Sequence, residues 1–286
     1  PPRAATACGR HGAGTVCRAD GRALANGGGL PLCSGAMKTG TVRLFQTLDH
    51  PCGYFGDRSA RNLVIDPLDP RLPAVYETSL AWGFRRAGGH VYRPQCRHCQ
   101  ACVPCRIPVA GFDPDRSQRR CIRRNQDLAL RWRRAEPDAE LMALYEAYLA
   151  WRHPGGGMDE PAPDDFRRFL ISPWNGSEFL ELRLDGRLVA VAVTDVGRGC
   201  LSAVYTFYAP DQSRRSLGLL CILLQVARAR EQGLAHLYLG YWIPGHPKMH
   251  YKSKFRPIEV LRRGRWQALL AGAAEAPDDG ASGGGE

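Results

Sequence analysis

From residue 41 onward the apolar and polar positions fall into patterns that predict an ordered run of elements. "TVRLFQTL" at 41–48 reads as a strand, and "NLVI" at 62–65 is a short apolar strand stopped by Pro67. A helix is predicted from Pro73, with Gly83 near its end. A strand at "HVYR" enters a cysteine-rich turn, and "CRIPVAGF" leaves it. Further on the patterns lengthen. "DAELMALYEAYLAWRH" places Leu141, Leu144, Tyr145, Tyr148 and Leu149 on one helical face, and "PAPDDFRRFLIS" starts a shorter helix. "SEFLELRLD", "RLVAVAVTDVG" and "GCLSAVYTFYAP" read as three strands, the first two joined by the hairpin pair Asp185-Gly186. "SRRSLGLLCILLQVARAREQG" is a long helix with a Ser start and a Gly stop, and "LAHLYLGYWI" is a buried strand.

Helices, an antiparallel meander, a helix and a strand predict an α+β protein. The reading divides it into a Cys-rich N-terminal domain with a basic stretch (37–135) and a second domain (136–270). The order of elements in that second domain resembles the Gcn5-related N-acetyltransferase fold. There a strand–loop–helix unit binds the acyl donor at the helix N-terminus. Here "APDQSRRSLGLL" stands in that place with Gly218 alone, not a Gly-rich pyrophosphate loop, which weighs against acetyl-CoA. Residues 1–36 show no hydrophobic period and read as a disordered segment ahead of a natural start at Met37, and 271–286 as a disordered tail. No apolar run approaches the ~18 residues of a membrane helix, so no membrane partner is expected.

Charge adds a partner. The net charge of +11 favours a polyanion, nucleic acid first. Setting aside the four Arg and one Asp of residues 1–36 leaves +11 − (4 − 1) = +8, so the basic character stays with the folded part. If the stretch after Asp115 is helical, Arg116, Arg119, Arg120, Arg123 and Arg124 recur on one face, a stripe that can follow a phosphate backbone or simply be solvated.

Chemistry enters with the cysteines. The chain has 11, an odd number, and no secretory signal, which points to a reducing cytoplasm. Cys200 and Cys221 read as buried apolar thiols. "YRPQCRHCQACVPCRIPV" holds Cys96, Cys99, Cys102 and Cys105 at a strict spacing of three. Thiolates so spaced can converge on an iron–sulfur cluster or zinc. The four can form a self-contained set, or pack as reduced thiols in a small core.

Three stretches together are more specific: "HPCGYFGDRSARNLVID" at 50–66, "GFRRAGGHVYRPQCRHCQACVPCRIPV" at 83–109 and "LYLGYWIPGHPKMHYKSKFRPIEVL" at 237–261. In that order they resemble the aminoacyl-tRNA–protein transferase family, and within it the bacterial aspartate/glutamate leucyltransferases. The resemblance implies an aminoacyltransferase that moves leucine from leucyl-tRNA to proteins beginning with Asp or Glu, marking them for degradation. It implies a ligand set of Cys52, Cys96, Cys99 and Cys102, with Cys105 spare. It also favours contact between the α-helical arginine stripe and tRNA. An aminoacyl ester is already activated, so the transfer itself requires no cofactor; alignment and charge stabilisation suffice. Candidate catalytic groups in the third stretch and the strand before it are Tyr205, Tyr241, Lys248, Tyr251 and Lys252. An acidic acceptor needs a cation, and Arg58, Arg61, Arg85, Arg86 and Arg93 are the candidates. Arginine as the donor amino acid, a non-catalytic metal-stapled nucleic-acid-binding module and an acetyl-CoA-dependent transferase are the rival readings.

Overall fold

Two main sheets build the computed structural model, which describes residues 41–152 and 163–270. The expectations for residues 1–36, Met37 and 271–286 lie outside the described residues. The first sheet comes from β1 (Leu44–Gln46), β4 (Asn62–Ile65), β5 (Arg85–Ala87) and β6 (His90–Pro94), antiparallel in the order β1-β4-β6-β5, with a small hairpin of β2 (His50–Pro51) and β3 (Ser59–Ala60) beside it. Helix α1 (Leu72–Ala81) begins with Pro73, whose missing N–H lies where a helix start has no partner for it. It turns Leu72, Tyr76 and Leu80 inward against Ile65, Phe84 and Val91.

The second sheet has eight strands. They are β7 (Val103–Pro108), β8 (Ala129–Arg134), β9 (Ser177–Leu184), β10 (Arg187–Val196), β11 (Cys200–Tyr208), β12 (His236–Trp242), β13 (Glu259–Arg262) and β14 (Arg265–Ala268). Their order is β14-β13-β7-β12-β11-β10-β9-β8. The mixed class expected from the patterning is present. Helix α2 (Arg116–Arg124) follows β7; α3 (Ala139–Arg152) and α4 (Pro163–Leu170) follow β8; α5 (Leu217–Glu231) joins β11 to β12. The central strand β10 is buried from Leu188 to Asp195, which is why it reads as a nearly unbroken apolar run. Asp185 (φ 49°) and Gly186 (φ 84°) make the tight turn between β9 and β10. Among the described residues, no helix is long and apolar enough to cross a membrane.

The sheet draws strands from both sides of residue 136. β7 pairs antiparallel with β12 and β13. β8 forms the opposite edge on β9, where Arg133 pairs with Glu181. Neither insertion has a local signal: β7 is six residues with a proline at its second and last positions, and β8 is half arginine. Both are strands because partners far along the chain hold them. Helix α2 forms as the arginine pattern suggests. Asp115 accepts from the backbone of Ser117 and Gln118, and the Gln118 side chain returns a bond to the Asp115 N–H, a reciprocal cap that starts the helix.

Candidate active site at the seam of the two sheets

β11 and β12 are parallel neighbours, yet they pair only over Cys200–Ser202 and His236–Tyr238. Beyond that point the two strands are not bonded to each other, and the β5–β6 hairpin of the small sheet reaches in. Arg85 bridges the opening. Its Nη2 donates to the Val204 carbonyl at 2.9 Å, and its guanidinium lies against Gly240 on β12. Gly240 stands at a register break of β12 on β7, with φ 77°. A Cβ there would overlap Arg85 Nη1 and sit 2.5 Å from its Cζ, so glycine is required both by the backbone and by the arginine.

The hairpin is fixed from its other face. Arg86 makes two bonds of 2.6 Å to the carboxylate of Asp195, with both side chains almost fully buried (0% and 2% exposed). Tyr76 and Ser177 each donate a hydroxyl to the same carboxylate at 2.7 Å. Such a pair contributes little over an apolar substitute, but removing one partner strands the other, a loss of about 3–5 kcal/mol. At the hairpin turn Gly88 N–H donates to Phe169 O at 2.7 Å, and a Cβ on Gly88 would overlap the Arg168 carbonyl. The Tyr241 hydroxyl closes the other end, donating to Gly83 O at 3.1 Å.

Lys252 lies under the same seam. It is 4% exposed and its Nζ donates to Tyr241 O at 2.6 Å. Burial pulls its pKa down to about 7; the thiols of Cys105 and Cys102 oppose the fall and Arg85 adds to it. Among the described residues neither Arg85 nor Lys252 pairs with a carboxylate. Tyr54, from the Cys-Gly-Tyr element, borders Arg85 and Cys102, and burial pushes its hydroxyl up to about 12.

The structure thus separates the candidates. Of the five arginines, Arg85 alone enters the seam. Arg86 is held by Asp195. Arg93 donates to Trp82 O at 2.9 Å, Arg61 to Gln95 O at 3.4 Å, and the exposed Arg58 to Cys99 Sγ at 3.4 Å. Of the catalytic candidates, Tyr241 and Lys252 come together. Tyr205 follows the Val204 carbonyl along β11 and packs edge-on against Tyr145, Tyr148 and Phe169. Lys248 faces solvent, whereas Tyr251 exposes part of its ring but packs edge-on against the buried Phe255, and burial pushes its hydroxyl, near Cys105 and Arg85, up to about 12. The stripe Arg116, Arg119, Arg120, Arg123 and Arg124 is exposed along α2, and Arg124 reaches the Arg214 carbonyl at 3.0 Å, next to the start of α5.

Cys52, Cys96, Cys99 and Cys102 gather in one half-buried region as free thiols. Burial, then Cys52, Cys96 and Cys99, push the Cys102 thiol up to about 12. Cys105 points away into the core with Ile107 and Trp242. Among the described residues, no three Cys, His, Asp or Glu side chains stand closely enough to hold a metal ion.

Sequence reasoning missed Gly240 and Asp195. Both left a signal: an isolated glycine in "LYLGYWI" marks a bulge or a close approach, and an acid in the apolar run "VAVAVTDV" demands a buried partner.

Residues 50–120 match the family described as arginine-tRNA-protein transferase, N terminus, and residues 140–262 its C terminus. The chain is 55% identical over 231 residues to an aspartate/glutamate leucyltransferase of Stenotrophomonas maltophilia, covering 79% of this chain and 92% of that protein. The chain belongs to the aspartate/glutamate leucyltransferase family. Other leucyltransferases agree: one from Xanthomonas campestris pv. campestris is 56% identical over 241 residues (82% of this chain, 96% of the relative), and one from Xylella fastidiosa 51% over 232 (79% and 91%). Solved structures give a looser likeness. The C-terminal domain of a putative lysylphosphatidylglycerol synthetase from Agrobacterium fabrum aligns at 17% identity with a TM-score of 0.40, covering 61% of this chain and 52% of that one. A GCN5-related glucosamine N-acetyltransferase region of a fungal multi-domain β-N-acetylglucosaminidase aligns at 9% and 0.32, covering 61% and 20%. At those scores the likeness adds nothing to the leucyltransferase assignment.

Proposed function

We propose that this chain transfers leucine from leucyl-tRNA to the α-amine of proteins whose first residue is Asp or Glu, marking them for degradation through the N-end rule in the cytoplasm. The amine nitrogen attacks the ester carbonyl, the amide C–N bond forms, the C–O bond to the ribose breaks, and the ribose oxygen takes up a proton. No covalent enzyme intermediate is needed, because the ester is already activated.

The observation that carries this reading is the seam: a charged Arg85 and a buried Lys252, neither paired with a carboxylate among the described residues, where β11 and β12 part. An acidic acceptor brings the missing charge. Its own ammonium, held beside cations, is disfavoured relative to the neutral amine, which is the nucleophilic form. Tyr241 fixes the hairpin and accepts from Lys252, and so holds the seam in register. The α2 arginines offer a surface for the tRNA backbone.

The test is incubation with a panel of charged tRNAs and peptides beginning with Asp, Glu, Asn or Gln, read by mass. The expected product is one leucine on the Asp and Glu peptides. One arginine in its place moves the donor to arginyl-tRNA, the reading that the family description favours. No aminoacyl gain from any tRNA rejects the function.

A further inference from the structure

We infer that Arg85 receives the side-chain carboxylate of the acceptor's first residue, and that Gly240 is the positioning residue that lets it do so. This rests on the leucyl-transfer reading above and deepens it.

Five N–H groups leave a guanidinium, and they are rarely left without acceptors when water is restricted. Arg85 is half-buried, and the hydrogen bond it makes is the one to Val204 O. Its ring neighbour is Tyr241, with Cζ 5.9 Å from the centroid, and Tyr54, Tyr92, Tyr76, Tyr251, Cys105 and Lys252 are further polar neighbours. None of these is a carboxylate, so none answers its charge. The next residue shows what a structural arginine looks like here: Arg86 is bonded on both sides by Asp195. A charge withdrawn from water with no counter-charge is expensive, and a site keeps one where a ligand completes it.

The place also favours a carboxylate over a phosphodiester. The small pocket at Arg85 is walled by Gly83, Phe84, Pro104, Cys105 and Gly240, with Ser202 and Tyr238 adding polar groups. A planar carboxylate on a short stem can meet the guanidinium edge-on with two parallel bonds. A phosphodiester would have to bring two ester arms between the strands. Arg58, Arg61 and Arg93 bond to sulfur or backbone outside the seam.

Gly240 enters because the arginine passes through the space that a side chain would fill. Any larger residue there pushes the guanidinium off its line while leaving the charge in the protein. Its effect therefore acts through Arg85, and a double substitution detects that.

The experiment uses the full chain with leucyl-tRNA and matched peptides beginning with Asp or Asn. Arg85→Met is expected to lower kcat/KM for the Asp peptide by about ten- to several-hundredfold, chiefly through KM, and to change it far less for the Asn peptide, so that the preference collapses. Arg85→Lys should keep part of it. Gly240→Ala should reduce the preference in the wild type and reduce it no further in the Arg85→Met background. A full Asp-over-Asn preference in Arg85→Met overturns the inference. So does a loss of leucyl-tRNA affinity with that preference intact, which would place a tRNA phosphate on Arg85. Should Arg85→Met be unfolded by circular dichroism, Arg85→Lys decides: a weakened preference supports the assignment, an undiminished one removes it. If the wild type adds leucine to no peptide, the function fails separately, and calorimetric binding of the Asp against the Asn peptide still tests Arg85 in the wild type and its variants.

Discussion

Arg85 and Arg86 leave the same short strand on opposite faces, and their surroundings differ in kind. The Arg86 face is saturated: Asp195 on two atoms, Ser177 Oγ and Leu170 O at 3.0 Å, with Tyr76 completing the carboxylate. The Arg85 face has one carbonyl, a ring and the buried Lys252 below it. One arginine welds the small sheet to the large one. The other uses that weld to hold a charge in place without spending it on the protein. A motif such as "GFRRAGGH" presents both as equals, and only the tertiary surroundings tell the fixed charge from the available one.

The comparison is most directly broken at Asp195. Asp195→Ala leaves Arg86 buried without its partner and is expected to lower stability by about 3–5 kcal/mol in urea unfolding. Arg85→Met, one residue away, should leave the urea midpoint unchanged or raise it, because it removes a charge that the protein does not answer. Equal losses for the two would mean that Arg85 has a structural partner after all.

Lys252 sharpens the same contrast through pH. Its folded pKa of about 7 lies below the ordinary lysine value of 10.5, so the unfolded chain binds more protons between those limits. Below about pH 7 both states are charged and the full penalty of burying the ammonium is present. As pH rises from 7 toward 10.5 the penalty disappears. The stability of the wild type relative to Lys252→Met should therefore climb with pH, by at most about 1.4 kcal/mol per pH unit. Parallel stability–pH curves for the two proteins would show that Lys252 is not buried as a titrating group.

The smallest effect on stability is expected at α2. Replacing Arg119, Arg120, Arg123 and Arg124 with Gln should shift the thermal midpoint little, since exposed charges contribute little. It should weaken tRNA binding and flatten its dependence on salt. Unaltered binding would remove this helix from the docking surface.

Much of the second half was legible in the sequence. Strands β9 to β11, the Asp185-Gly186 turn and α5 follow from period, turn chemistry and helix ends, all of which are local. β7, β8, β13 and β14 were not: they are short, carry Pro or Arg, and become strands only where remote partners hold them. The site divides the same way. Motifs brought Arg85 and Lys252 into a list of ten candidates. Nothing in "KMHYKSKF" distinguishes the buried Lys252 from the exposed Lys248 and Lys254, because that difference is made by the segment folding under β12. The arginine stripe was legible because a helical face is a local property, and the Asp115–Gln118 cap confirms the helix that it needs.

The position of β7 also bears on how the chain is made. Arg106 bonds Glu259, a residue 153 positions later. At synthesis rates of about 5–20 residues per second, the strand waits roughly 8–30 s for that neighbour. Until β12 emerges both of its edges are open to other chains, and the β13 edge stays open longer. Pro104 and Pro108 interrupt its hydrogen-bonding edge, and Arg106 sets a charge in its middle, the features that discourage a bare strand from joining a stranger. A nascent chain halted before β13 would therefore hold an unfinished sheet, with β7 paired on one edge alone.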